Sequence, residues 1–153
     1  MTVPTDPVLV HATAIAIDGH AVLLRGPSGA GKSDLALRLI DGGARLVADD
    51  QVELRRAGER VLVTAPAALA GLIEVRGVGI LRVEAVAEAT LALLVDLVPS
   101  AEVDRFPETR CEDVLGVAAP LIALSPFEAS AAAKLRLALC AFSADPVPAI
   151  IRR

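Results

Sequence analysis

Residues Gly26-Pro27-Ser28-Gly29-Ala30-Gly31-Lys32-Ser33 satisfy the pattern G-x-x-x-x-G-K-[ST] in full. In such a loop the glycines let successive backbone N–H groups turn inward around phosphate oxygens, Lys32 supplies a cation, and the Ser33 hydroxyl can ligate Mg²⁺. Average residue usage gives roughly a half-percent chance of one such match in a chain of this size, so nucleotide or phosphate binding leads every other reading. A phosphoryl-transfer site also needs carboxylates to hold Mg²⁺ and a group to accept the proton of an attacking hydroxyl. Asp49 and Asp50 are the candidates. Two adjacent acids repel unless they are solvated or bound to a cation, and a solvated turn is the plainer alternative. His11, upstream of the loop, is on spacing alone an ordinary buried or hydrogen-bonded histidine, and His20 has less claim still.

The elements around the loop have the order its chemistry requires. Ala21 to Arg25 is an apolar run of strand character, and after the loop Leu35, Leu39 and Ile40 recur at helical spacing. A helix starting near Gly31 aims its unsatisfied N–H groups and positive dipole end at the same phosphates. Upstream, Val8 to Ile17 is β-rich and ends at Asp18-Gly19, a hairpin turn pair that predicts antiparallel neighbours. Gly42-Gly43 ends the helical pattern, and Arg45 to Ala48 is a short strand that delivers Asp49 and Asp50 at its end. Val52–Arg56 and Arg60–Thr64 flank Ala57-Gly58-Glu59 and predict a hairpin. Pro66 to Leu72 reads as a short helix. Ile73 to Ile80 reads as a strand with Glu74 and Arg76 on one face and two glycines marking a bulge or close approach. Leu91 to Val98 is a further strand, Glu102 to Asp113 a charged loop, and Ala129 to Phe142 a helix.

A chain of 153 residues suits one compact domain spanning residues 1–153. The net charge of −4 gives no basic footprint for DNA or RNA, so no nucleic-acid partner is expected. Charges, glycines and prolines interrupt every apolar stretch before it reaches the roughly 18 residues of a membrane span, so no membrane partner is expected either. Met1-Thr2-Val3-Pro4 lacks a secretory start, which makes the cytoplasm the default compartment. Cys111 and Cys140 have neither C-x-x-C spacing nor a histidine cluster, and read as buried or incidental thiols.

His11 ahead of the loop, the loop itself, Arg45-Leu46-Val47-Ala48-Asp49-Asp50, and Glu74-Val75-Arg76-Gly77-Val78-Gly79-Ile80 together resemble the catalytic domain of HPr kinase/phosphorylase. The resemblance covers about His11 to Val83, with a fainter likeness to short proteobacterial members downstream. It implies an α/β phosphate-loop kinase domain with a mixed sheet similar to that of phosphoenolpyruvate carboxykinase. The implied activity is ATP-dependent, Mg²⁺-requiring phosphorylation of a serine on an HPr-type phosphocarrier of the phosphotransferase system, reversible by phosphorolysis with release of pyrophosphate. By position, Lys32 would contact the nucleotide phosphates, Ser33 and Glu74 would help bind Mg²⁺, and Asp50 would be the acid/base. Asp49 would give metal or electrostatic support, and His11 would belong to the active site. A homo-oligomer, commonly a hexamer, is also implied.

Two departures qualify the likeness. Full-length relatives have an extra N-terminal domain, whereas ten residues precede His11 here, so regulation through that domain is not expected. The family's Pro-Gly-Arg-Asn-type segment, linked to the reverse reaction, has no match. Pro126-Phe127-Glu128-Ala129-Ser130 occupies that region, followed by Lys134 and Arg136, which either supply a cation or line the wet face of a helix. Two other readings stay open on the residues alone: a small-metabolite kinase, and a non-catalytic ATP sensor. A GTPase is disfavoured because the chain has no asparagine for the Asn-Lys-x-Asp guanine motif.

Overall fold

A computed structural model describes residues 6–143; Met1 to Pro4, read for a secretory start, lie outside them. Eleven strands and two α-helices follow the order β1 (Val8–His11), β2 (Thr13–Ile17), β3 (His20–Arg25), α1 (Lys32–Asp41), β4 (Arg45–Ala48), β5 (Gln51–Ala57), β6 (Arg60–Thr64), β7 (Leu72–Val75), β8 (Gly79–Arg82), β9 (Glu88–Leu97), β10 (Arg110–Val114), β11 (Val117–Leu124) and α2 (Ala131–Ser143).

One mixed sheet of nine strands organises the molecule, running β1-β5-β6-β9-β3-β2-β4 with the β10–β11 hairpin attached through β11 to β9. β9 is its hub. Along one edge it runs parallel to β3, from His20↔Thr90 to Arg25↔Asp96. Its other edge forks: Glu88 to Thr90 pair antiparallel with β6, while Leu94 to Leu97 pair parallel with β11. The two ends of the strand order are joined by the chain itself. β1 and β2 follow one another across Ala12, β4 and β5 follow one another across Asp49-Asp50, and the two long segments pair antiparallel on both sides of that break. Only a curled sheet satisfies both ladders, and the Asp49-Asp50 corner lies where it bends. Asp50 takes a left-handed φ of 70° there, a conformation that aspartate tolerates better than most residues.

The curl separates two apolar cores by strand alternation. Ile15, Val22, Leu24, Leu46, Leu93 and Val95 face α1 and α2, meeting Leu35 and Leu39 of the first helix and Leu135 and Leu139 of the second. The opposite face is filled largely by short side chains, among them Ala12, Ala14, Ala16, Ala21 and Ala48, with Leu23, Val52 and Leu94. Small residues there let the sheet close tightly on itself.

The Asp18-Gly19 hairpin, the strand–loop–helix order and the β5–β6 hairpin follow the sequence expectation. Three segments differ. Residues 73–80 are not one bulged strand: β7 and β8 form a separate hairpin, Gly77 and Gly79 take positive φ at its turn, and Arg76 leaves the strand face it was expected to share with Glu74. The helix expected over Pro66–Leu72 is a single 3₁₀ turn at Ala67–Leu69. The charged loop yields β10, because Leu115-Gly116 forms a tight left-handed turn that zips Arg110–Val114 onto β11. Cys111 and Cys140 are free and exposed rather than buried.

The inner face is the part least able to accept volume. Ala14→Leu, at a position with no exposed surface, is expected to lower stability by roughly 1–3 kcal/mol or more through overpacking. Urea unfolding followed by circular dichroism measures it; an unchanged midpoint would show that the curl has room to spare.

Candidate functional site

The apolar residues of β3 carry the chain into the centre of the sheet, and α1 then turns it back across the helix-facing core. The phosphate loop is the reversal between them, at the carboxyl end of a central strand. Gly31 caps α1 with φ 95°, and a Cβ there would come within 3.2 Å of Pro126 and Phe127, so both the backbone angle and the space call for glycine. Lys32 is 7% exposed, and its ammonium donates to the carbonyls of Gly26 at 2.7 Å and Pro27 at 2.9 Å. It is thereby held across the loop whose phosphates it would meet.

Asp49, 7% exposed, is the junction of the site. Its Oδ1 accepts from the Ser33 hydroxyl at 2.7 Å and from the Thr13 hydroxyl at 3.0 Å, and its Oδ2 accepts from the Glu74 backbone N–H at 3.0 Å. Three elements, β2, α1 and β7, are therefore tied to one carboxylate at the end of β4. Asp50 points elsewhere. Its left-handed backbone turns its carboxylate into solvent, where Oδ1 lies 3.3 Å from His11 Nδ1, and both side chains are at least half exposed. The repulsion expected of neighbouring acids is relieved by this divergence and by the donors on Asp49. His11, taken on spacing as an ordinary strand histidine, is thus brought to Asp50. His20 sits exposed at the start of β3, paired with Ile17.

Ser33 and Asp49 offer adjacent hard oxygens beside the phosphate loop, the donor set Mg²⁺ prefers when phosphates complete its coordination. Among the described residues no three His, Cys, Asp or Glu side chains converge into an all-protein metal cage. The side chain of Glu74 is exposed, and its backbone, rather than its carboxylate, makes the contact to Asp49.

Sequence reasoning missed a second cluster. Arg25, immediately before the loop, donates to Asp96 of β9 at 2.8 Å and, with both terminal nitrogens, to Glu112 of β10, one of them at 3.0 Å. The forked geometry holds the Glu112 carboxyl below its usual range and raises the Arg25 guanidinium further above its own. Thr13 was also missed; its only signal was a hydroxyl inside an otherwise apolar strand. Lys134 and Arg136 are engaged structurally. Lys134 pairs with Glu128 at 3.2 Å, and Arg136 donates to Leu39 O at 2.9 Å near the end of α1, which places it in neither of the two expected roles.

Fold and loop together define a phosphate-loop α/β domain of kinase type. Residues 5–125 match the sequence profile described as HPr Serine kinase C-terminal domain, and the chain belongs to that family. HPr kinase/phosphorylase of Peptoclostridium acidaminophilum is 44% identical over 112 residues, covering 71% of this chain and 36% of that protein. The Chloroherpeton thalassium protein of the same name is 38% identical over 126 residues, 74% of this chain and 37% of the relative. The chain thus spans about a third of the length of these relatives. In three dimensions it is similar to the Hpr(Ser) kinase/phosphatase from Coxiella burnetii, with a TM-score of 0.73 and 28% identity over 84% of this chain and 95% of that one. Among the described residues no helix is long and apolar enough to cross a membrane.

The Arg25 cluster has a defined pH signature. A carboxyl whose pKa is lowered in the folded state adds stability above its unfolded value and loses it as pH falls through the folded one. Glu112→Gln should therefore destabilise the protein at pH 7 by under about 1 kcal/mol, since the pair is partly exposed. The gap from wild type should close as the medium is acidified below the ordinary glutamate range. Urea midpoints of the two proteins across that range test it; a constant gap would remove the ion pair as its cause.

Proposed function

We propose that this chain is an ATP-dependent protein serine kinase acting on an HPr-type phosphocarrier. What carries the reading is Asp49 bridging Ser33 of the phosphate loop to the backbone of Glu74, because this joins the nucleotide motif to the block that distinguishes the family. In this reading the loop amides of Gly26 to Ser33 and the Lys32 ammonium bind the phosphates of ATP. Ser33 and Asp49, with Glu74, would hold Mg²⁺, which would supply neutralisation of the phosphate charge.

The acceptor serine oxygen attacks the terminal phosphorus in line, its bond to the bridging oxygen breaks, and ADP leaves with that oxygen. The serine proton goes to the carboxylate of Asp50, which His11 faces at 3.3 Å and orients. Asp49 is unsuited to that role, since Thr13, Ser33 and the Glu74 amide all donate to it and it is enclosed, whereas Asp50 is open to a protein substrate. The same carboxylate serves the reverse reaction. Inorganic phosphate attacks the phosphorus of phosphoserine, the bond from that phosphorus to the serine oxygen breaks, Asp50 returns its proton to the serine oxygen, and pyrophosphate leaves. Catalysis is then mainly positioning and charge stabilisation.

Asp50→Asn is expected to retain ATP binding and to lose transfer by about 10²- to 10⁴-fold. The assay uses γ-labelled ATP, Mg²⁺ and an HPr-type carrier, followed by a chase with inorganic phosphate. Serine labelling that the chase converts to pyrophosphate supports both directions, and labelling without reversal limits the protein to a kinase. ATP binding with no labelling of any carrier would overturn the proposal in favour of another acceptor or a sensor.

A further inference from the structure

We propose that Phe127 is the platform on which the adenine ring of the nucleotide stacks. The proposal rests on the reading of Gly26 to Ser33 as the site of the nucleotide phosphates, and it assigns the other end of the same ligand. β3, β9 and β11 run parallel as neighbours, and ligands of open α/β sheets bind outside the carboxyl ends of such strands. The phosphate loop leaves the end of β3; residues 125–130 leave the end of β11. The two meet at Gly31, where an added Cβ would lie 3.2 Å from Phe127 Cε1 and from Pro126. Phe127 is nevertheless 74% exposed, so the ring touches the loop by one edge and leaves most of its surface open.

Its backbone is fixed. Arg38, in the last turn of α1, donates to the carbonyls of Pro126 and Glu128 on either side of the ring, and Ser125 before it is buried. Glu128 is held in turn by Lys134 and caps the first turn of α2 through its carbonyl. A large apolar side chain displayed on so constrained a segment, against the phosphate loop, suits a flat π-system arriving from the phosphates. The chain holds three phenylalanines and no tyrosine or tryptophan. Phe142 packs against the helix-facing core, and the Arg105 guanidinium lies 5.4 Å from the Phe106 ring centroid. Phe127 is the aromatic ring beside the phosphate loop, and stacking on it needs no hydrogen-bond readout of the base.

Tripolyphosphate, which has the phosphates without the base, separates this proposal from the reading beneath it. Calorimetry with the whole chain and Mg²⁺ should show that Phe127→Ala weakens ATP about tenfold and changes tripolyphosphate by less than about twofold. Phe127→Trp should retain ATP affinity, and in a chain without other tryptophan its emission should be quenched by ATP and not by tripolyphosphate. Unchanged ATP affinity in Phe127→Ala, equal weakening of both ligands, or Phe127→Trp emission indifferent to saturating ATP would each overturn the platform while the phosphate site stands. Wild-type protein that binds neither ligand would remove the phosphate reading and the platform with it.

Discussion

The carboxylate of Asp49 is the constraint on which this structure turns. It is enclosed, and a buried charge persists only where donors replace the water it has lost. Thr13, Ser33 and the Glu74 amide provide them from three different elements. Each such bond to a charged acceptor is worth on the order of 1.5–3 kcal/mol, so the gain is large only when all three segments are in place. Strand β2, the helix after the loop and the detached β7–β8 hairpin are thus locked to one another at the point where the sheet bends.

The same corner explains the differing surroundings of two adjacent aspartates. The main chain must pass from the β2–β4 ladder to the β1–β5 ladder, and the left-handed Asp50 makes that passage. One acid is consequently turned inward among hydroxyls and the next outward beside His11. Small alanines on the inner face of the curl serve the same end, since bulk there would open the bend and separate the two ladders.

Much of this was legible in the sequence. The phosphate loop, its flanking strand and helix, and two hairpin turns are local devices whose glycines and apolar spacing carry their own instructions. What was not legible depends on contacts distant in sequence. Nothing near Arg25 announces that Asp96 and Glu112 will meet it, and β10 reads as a charged loop because its polar composition is overridden by pairing with β11. Gly77 and Gly79 signalled irregular backbone, but only the hairpin partner shows that they turn the chain rather than bulge it. The likeness to HPr kinase/phosphorylase brought Glu74 to notice; the side chain is exposed, and its amide is what reaches Asp49.

The position of β9 has a kinetic meaning. A nascent chain completes the phosphate loop early, yet the strand that feeds it pairs on one side with residues about seventy positions later. β6 waits on the same late strand, and β11, later still, fills the other prong of its forked edge. Topologies dominated by such distant pairings fold slowly, because loop closure must precede the contacts that reward it. The most local motif in the sequence is therefore among those whose final shape must wait for the rest of the chain.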